Sequence, residues 1–289
     1  MNFIKRFYNF IKIRSVFLFR YIYWNSYKPK SPLNLDKRDF HIVASLTTFP
    51  ARLKHLNITI KSLMKQNLKA DKIILYLGTD TKQSSIPKKL LKLQKYGLEI
   101  IYDCNDLKPH KKYLFAAKEY PNSFIVTVDD DLIYDKDMIE DLWNTHLKYP
   151  SAVCARRVHL IKKENNSLLP YSNWETESSS KTTPTHSLFS TNGAGTLFPL
   201  HTFDEIFLNE ELISKLCLNA DDIWIKFNLI RNNIPVVWTG KFAFMPKEIF
   251  YPKNKNVTLM SQNVTRNKND EYIDILQEYF NIKLVDYCD

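Results

Sequence analysis

Glycine is scarce in this sequence, with five in 289 residues. Each is expected to answer a local backbone need, a left-handed turn or a close approach, and a flexible low-complexity design is excluded. Cysteine is equally sparse. Cys104, Cys154, Cys217 and Cys288 form no C-x-x-C pair and have no histidine at zinc-site spacing. They read as reduced, packed thiols, which fits a reducing compartment, the cytoplasm being the simplest. Long apolar runs are missing too. Residues 1–28 contain neither the roughly 20 apolar residues of a spanning helix nor the apolar run of roughly 7–15 residues and small-residue cleavage site of a signal peptide.

Acidic charge is absent from the N-terminal stretch. Seven basic residues (Lys5, Arg6, Lys12, Arg14, Arg20, Lys28, Lys30) precede the first acidic one, Asp36, and the remainder carries 34 basic and 31 acidic residues. The net charge of +10 is therefore a terminal feature, and the body lacks the broad basic footprint of a nucleic-acid binder. What the chain has in quantity is core-forming material: 44% hydrophobic and 13% aromatic residues, enough for one main domain with appendages.

At 100° per residue, Ile4, Phe7, Tyr8, Ile11, Leu18, Phe19 and Ile22 share one face, interrupted by Ser15 and free of basic residues. This is the pattern of an amphipathic helix lying on an anionic membrane surface, its basic flank attracted to acidic lipid. Packing on the domain or on a second subunit is the bland alternative. Residues 29–40, rich in Pro, Lys and Asn, read as a linker, 41–250 as the domain, and 251–289 as a tail with a helix around 269–280.

Within the domain, strands alternate with helices. Strands are expected at 41–46, 72–77, 98–102, 124–128, 152–161 and 235–239. Helices are expected through Leu53–Met64, from Pro87 to Gly97, at 111–119, near 203–216 and at 221–232. Such alternation specifies an α/β fold, a mostly parallel sheet with helices on both faces, and directs ligands to the carboxyl ends of the strands. Thr47–Arg52, Gly78–Asp80, Asp103–Asp106 and Asp129–Asp131 all follow strands. The polar stretch Lys162–His186 reads as a long functional loop, in which Tyr171 and Trp174 could stack on a sugar ring or anchor the loop to the core.

Three consecutive aspartates close the apolar strand FIVTV. Adjacent carboxylates repel, and a divalent cation relieves the repulsion. Asp129 and Asp131, as a D-x-D at a strand-to-loop bend, are candidate ligands of Mn²⁺ or Mg²⁺ against a diphosphate; a solvated turn is the alternative. A calcium-loop frame starting at Asp129 fails, because Ile133 and Tyr134 stand where a ligand and a glycine are required. Asp137 and Glu140 read instead as a capping box. A second pair, Asp221 and Asp222, opens a helix. The helix dipole and an i,i+4 partner, Lys226, would explain it without function; the functional alternative is a general base. Gly193 and Gly195, in the run NGAG, fit either a close approach to a ligand or a tight turn.

Taken together, SLTTFPAR (45–52), DLKPHKKYLFAAKEYP (106–121), TVDDDLIY (127–134), NGAGTLFP (192–199) and ADDIW (220–224) resemble a bacterial family of GT-A-fold nucleotide-sugar glycosyltransferases that build capsular or lipopolysaccharide glycans. The resemblance implies that Thr47, Thr48 and Arg52 line a nucleotide pocket, with Lys112 close to the donor. It further implies that Asp129 and Asp131 hold ribose and metal-diphosphate and that Asp222 is the base, with Asp221 as its rival. His110 stands where a tyrosine is expected, its ring available for stacking. The implied reaction moves a sugar from a uridine-linked nucleoside diphosphate to a hydroxyl of a lipid-linked or oligosaccharide acceptor, with inversion. It would run at the inner face of the cell membrane. A sugar-phosphate nucleotidyltransferase is disfavoured, because the segment after the first strand, TTFPARLK, has no phosphate-cradling glycine. A non-catalytic glycan-binding module is the remaining alternative.

Overall fold

The computed structural model describes residues 15–16, 18–30, 33–34, 36–240, 247–249 and 268–288. Strands β1 (Ile42–Thr47), β2 (Lys72–Gly78), β3 (Leu98–Cys104) and β4 (Phe124–Thr127) are mutually parallel in the order β3-β2-β1-β4. Parallel neighbours need a crossover, supplied by helices α2 (Leu56–Met64), α3 (Lys88–Leu91) and α4 (Lys111–Glu119). Alternation along each strand divides the core. Ile42, Ala44, Leu46, Ile73, Leu75 and Leu77 pack beneath α2 and α3, whereas Val43, Ile74 and Tyr76 pack on the opposite face with α4.

Beyond β4 the chain forms β5 (Leu132–Ile133), α5 (Met138–Lys148), β6 (Val153–Ala155), β7 (Val158–Leu160), the hairpin β8 (Lys163–Glu164) and β9 (Ser167–Leu168), β10 (Leu188–Ser190) and β11 (Thr196–Phe198). It then continues through α6 (Glu210–Leu216), α7 (Asp221–Arg231), β12 (Val236–Trp238), β13 (Lys247–Glu248) and α8 (Lys268–Phe280). The main sheet is completed in the order β12-β6-β11-β4, with β11 antiparallel to both neighbours. Because β11 is reversed, the turn at its start, residues 191–195, meets the carboxyl ends of β4 and β6. That reversal brings NGAG to the aspartates.

The α/β architecture and its mostly parallel sheet are as expected. Several local readings are corrected. The strand expected at 152–161 breaks at Arg156–Arg157, and β7 pairs with β10 in a separate two-stranded sheet. The break follows from Arg156, which is fully buried and donates to Asp141 at 3.0 Å and Asp135 at 2.8 Å. The helix begun after Pro87 stops at Leu91 and resumes as a 3₁₀ turn before Gly97, whose φ of 99° supplies the left-handed ending. Of the helix expected over 203–216 only α6 forms, capped by the Asn209 side chain, which accepts from Leu212 N at 2.9 Å. Phe203 and Phe207 pack on Tyr113 instead. The Asp137–Glu140 capping box is absent: Asp137 makes no side-chain cap, and Ile139 N donates to Gln66 Oε1 at 3.0 Å, from the loop after α2. The loop after β7 is organised by the β8–β9 hairpin and by isolated bridges from Leu160 to Glu175 and from Thr185 to Val236.

Residues 18–26 are helical (α1). Trp24 is buried against Ile58, Ile133 and Ile249, and Lys61 Nζ donates to the carbonyls of Trp24 and Asn25, both at 2.8 Å. Leu18, Phe19 and Ile22 stand out at 59%, 75% and 55% exposure. Ile4, Phe7, Tyr8 and Ile11, the rest of the expected apolar face, lie outside the described residues. Within 29–40, Leu33 rests on Gly97 and Arg38 pairs with Asp71. Among the described residues no helix is long and apolar enough to cross a membrane. The four cysteines are free and buried.

Candidate active site

The carboxyl edge of the sheet collects Thr47 and Thr48 after β1, Asp129–Asp131 after β4, Arg156 and Arg157 after β6, and the 191–195 turn before β11. Residue 129 is held from three sides. Its N–H donates to Gly193 O at 3.1 Å and to the Tyr134 hydroxyl at 2.8 Å, and that hydroxyl donates in turn to Gly193 O. The Asp129 carboxylate then lies directly over the Gly193 α-carbon: a β-carbon at 193 would stand 1.6 Å from Oδ2. The close approach at Gly193 is to a carboxylate of this chain, where the sequence offered approach to a ligand or a tight turn. Gly195 answers a packing need, with φ of 107° and a virtual β-carbon 2.9 Å from Met138 Sδ.

The three aspartates diverge. Asp130, the middle one, is buried, accepts from Thr48 and from Arg52 at 2.6 Å, and offers its carbonyl to Thr59 Oγ1 at 2.9 Å. Burial pushes its carboxyl above the usual range although Arg52 and Thr48 oppose the shift. Asp129 and Asp131 remain partly open to solvent, with side chains 37% and 29% exposed. Asp131 pairs with Arg52 at 2.9 Å and Asp129 with Lys112 at 3.1 Å. At Asp129 burial disfavours the charge, but Lys112, Arg157 and Arg52 outweigh it and hold the carboxyl below its ordinary value. Among the described residues no group of three or more His, Cys, Asp or Glu side chains gathers as a metal site. Carboxylates with phosphate and water oxygens completing the shell are the donor set that Mg²⁺, and by extension Mn²⁺, accepts; Asp129 and Asp131, here paired with Lys112 and Arg52, are the carboxylates that would hold a metal brought with a diphosphate.

Lys112 ties this cluster to α7. Its Nζ lies 2.9 Å from Asp221 Oδ2 while it holds Asp129. Burial would lower its pKa, but Asp129, Asp221 and Asp222 together raise it, so the ammonium is permanent. Asp222 is oriented by Asn192, whose N–H and side-chain Nδ2 both donate to Oδ1, at 3.0 and 2.8 Å. Burial first, then Asp221 beside it, pushes the Asp222 carboxyl up to about 7 against the pull of Lys112 and Asn192. A carboxylate poised near neutrality with its orientation set by one residue is what proton abstraction needs. Lys226, the i,i+4 partner offered as a bland explanation of the pair, points elsewhere: its Nζ donates to the carbonyls of His186 and Leu188.

The remaining candidates are placed as follows. Thr47 Oγ1 donates to Tyr76 O at 2.8 Å and holds β1 to β2. His110 is wholly buried, linked to the Tyr113 hydroxyl and to Cys217 O at 2.9 Å each. Desolvation pushes its pKa down to about 4, so the ring is a neutral strut and unavailable for stacking on a ligand. Trp174 is buried on Phe189 and donates from Nε1 to Leu169 O at 2.9 Å, which makes it the loop anchor of its two readings. Tyr171 packs on Trp174 and Phe189, half-buried, its backbone N–H held by Asp270 at 2.8 Å. Asn192, Tyr134 and Arg157 were not singled out from sequence. Asn192 and Tyr134 lie inside motifs that were, NGAG and TVDDDLIY, but Arg157 carried no local signal.

Residues 47–201, more than half of the chain, match Glycosyl transferase family 2. No curated protein matches the sequence. Among solved structures, that of S. aureus TarS residues 1–349 in complex with UDP is similar at 17% identity and a TM-score of 0.47, over 68% of this chain and 58% of that one. GalNAc-T7 with UDP, GalNAc and Mn²⁺ is similar at 11% identity and a TM-score of 0.49, over 89% and 56%. The chain thus spans less than two thirds of either structure, and likeness at this level says nothing of its own substrates.

Proposed function

The chain belongs to glycosyl transferase family 2, and from that premise we propose that it is a metal-dependent, inverting transferase moving a sugar from a uridine-linked nucleoside diphosphate to a hydroxyl of a surface-glycan acceptor. The observation that carries this reading is the convergence, through Lys112 and the 191–195 turn, of Asp129 with Asp221 and Asp222 at one edge of the sheet. Thr48 and Arg52 hold Asp130 and so brace the loop that presents Asp129 and Asp131 to the diphosphate. A divalent cation bound by Asp129 and Asp131 would neutralise charge on the departing diphosphate. Asp222, oriented through Oδ1, takes the acceptor proton, while Lys112 keeps Asp129 ionised and pairs with Asp221 beside it. Displacement by an acceptor activated on one face of the sugar inverts the anomeric carbon. A donor screen tests the reading: hydrolysis or transfer of UDP-, GDP- and CMP-sugars with Mn²⁺ supplied, where no turnover and no thermal shift with any donor would overturn it.

The metal assignment has its own check. Nucleoside diphosphate with Mn²⁺ should raise the melting temperature of the wild type, by a stabilisation that grows as RT ln(1 + [L]/Kd). Asp131→Ala should lose the Mn²⁺-dependent part of that rise; an unchanged shift would remove Asp131 as a ligand.

The exposed α1 face supports the further reading that the protein sits on the cytoplasmic face of the membrane without spanning it. Trp24 belongs to the packed interior, so truncation through residue 28 would injure the domain. Point substitutions are the better probe. Leu18→Glu, Phe19→Glu and Ile22→Glu together should abolish co-sedimentation with vesicles containing anionic lipid and leave the melting temperature unchanged. Undiminished binding would refute membrane contact through this face.

A further inference from the structure

We propose that Arg157 is a diphosphate-binding residue, a guanidinium fork locked onto the 191–195 turn with its two terminal nitrogens left for the donor's phosphate oxygens; this rests on the nucleotide-sugar reading above. Arg156 and Arg157 are adjacent and have opposite fates. Arg156 is sealed beneath α5 between Asp135 and Asp141. Arg157, half-buried, emerges at the carboxyl edge, where its Nε donates to Thr191 Oγ1 at 2.5 Å while Thr191 N donates to Arg157 O at 3.1 Å. Side chain and backbone thus lock each other. Thr191 opens the same turn that carries Asn192, the partner of Asp222, and Gly193, the seat of Asp129. Arg157 is fastened to the piece of chain that positions both carboxylates.

Among the described residues, Arg52, Lys112 and Arg157 differ in how far they are committed. Arg52 is taken up by Asp130 and Asp131, and Lys112 by Asp129 and Asp221. The terminal nitrogens of Arg157 carry no hydrogen bond or ion pair among the described residues. A guanidinium anchored at Nε and open at both η nitrogens presents the geometry that pairs two phosphate oxygens. Two of its neighbours, His159 and Tyr171, carry no charge at neutral pH. His159, pushed down to about 4 by burial and then by Arg157, is neutral at pH 7, and Tyr171, raised by burial, keeps its proton. A donor entering over Asp129 meets the carboxylates of Asp129, Asp131, Asp221 and Asp222, and Arg157 has, among the described residues, terminal nitrogens left to receive its charge.

The test is calorimetric titration with UDP, with uridine followed by saturation-transfer NMR as a phosphate-free control. Arg157→Gln should weaken UDP binding roughly 10- to 100-fold, the range of one or two lost charge-assisted hydrogen bonds, and leave uridine binding unchanged. Arg157→Lys should fall between, because a point charge replaces part of the fork. Thr191→Val, which frees the fork without removing it, should cost several-fold. A folded Arg157→Gln that binds UDP like the wild type overturns the assignment and spares the donor reading, as does an equal loss for uridine, which would mean a merely structural role. Wild-type protein that binds neither UDP nor GDP overturns both. Should Arg157→Gln not fold, Arg157→Lys decides, since unchanged UDP affinity there refutes the fork.

Discussion

Asp222→Asn should bind donor and Mn²⁺ within a few-fold of the wild type and transfer sugar roughly 10²–10⁴ times more slowly. Asparagine keeps an oxygen to accept from Asn192 N and Nδ2, so the turn that seats Asp129 is preserved. What is lost is a proton acceptor. Asp221→Asn should behave differently, since Asp221 is paired with Lys112 and its loss alters the charge around the donor. Its defect should fall on donor affinity more than on turnover. Reversed phenotypes would move the base by one residue, and near-normal transfer by both variants would remove it from α7. The pH dependence provides a separate reading. With the Asp222 carboxyl at about 7, wild-type kcat/KM should rise with pH through that region and level off above it.

The same shift has a sign in stability. The folded-state pKa of Asp222 lies above the ordinary value of 3.8, so the folded protein holds a proton that the unfolded chain has released. The contribution is fully present below about pH 4 and is lost as pH rises toward 7. Asp222→Asn should therefore melt at a higher temperature than the wild type at pH 8 and show little difference near pH 4. A variant more stable and nearly inactive is the expected mark of a buried base, whereas a purely structural helix-start carboxylate would lose about 1 kcal/mol of stability on replacement and keep its activity.

Gly193→Ala is expected to be the most damaging change of a single methyl group in the site. Its β-carbon would stand 1.6 Å from Asp129 Oδ2 and 2.1 Å from Cγ, so the carboxylate must turn away and release Lys112. Donor binding should weaken by at least about tenfold if Asp129 meets the ribose or the metal-diphosphate, and overpacking should lower stability by about 1–3 kcal/mol. Gly195→Ala is the control. Its φ of 107° and the 2.9 Å approach to Met138 Sδ predict a comparable loss of stability, yet the folded fraction should bind UDP with wild-type affinity. Titration of both variants alongside thermal melts separates the two glycines. Unchanged UDP affinity in Gly193→Ala would take Asp129 out of the donor site.

Much of the sheet was legible because its strands are continuous apolar runs with sharp punctuation. HIVASL, KIILYL and FIVTV each stop at a polar or glycine-bearing turn, and burial on both faces leaves no other place for such runs. The breaks were not legible. Nothing local to Arg156 announces that Asp135 and Asp141 will draw it inward and end β6, and nothing in residues 203–209 says that packing on Tyr113 outweighs helix formation. The Asp137–Glu140 cap failed for a similar reason: Gln66, from the loop after α2, takes Ile139 N.

By itself the sequence determined the alternating α/β pattern, the strand-end acidic cluster and the concentration of glycine at NGAG, because these depend on residue type and spacing along one stretch of chain. Tertiary structure alone decided which partners the ambiguous side chains meet. It turned Lys226 away from Asp222 and put Asn192 there instead, seated Asp129 on Gly193 through the reversal of β11, and buried His110. It also left Arg157 open while sealing Arg156. Each outcome is set by partners distant in sequence, and a side chain's charge, orientation and solvent access belong to the group it meets rather than to its neighbours in the chain.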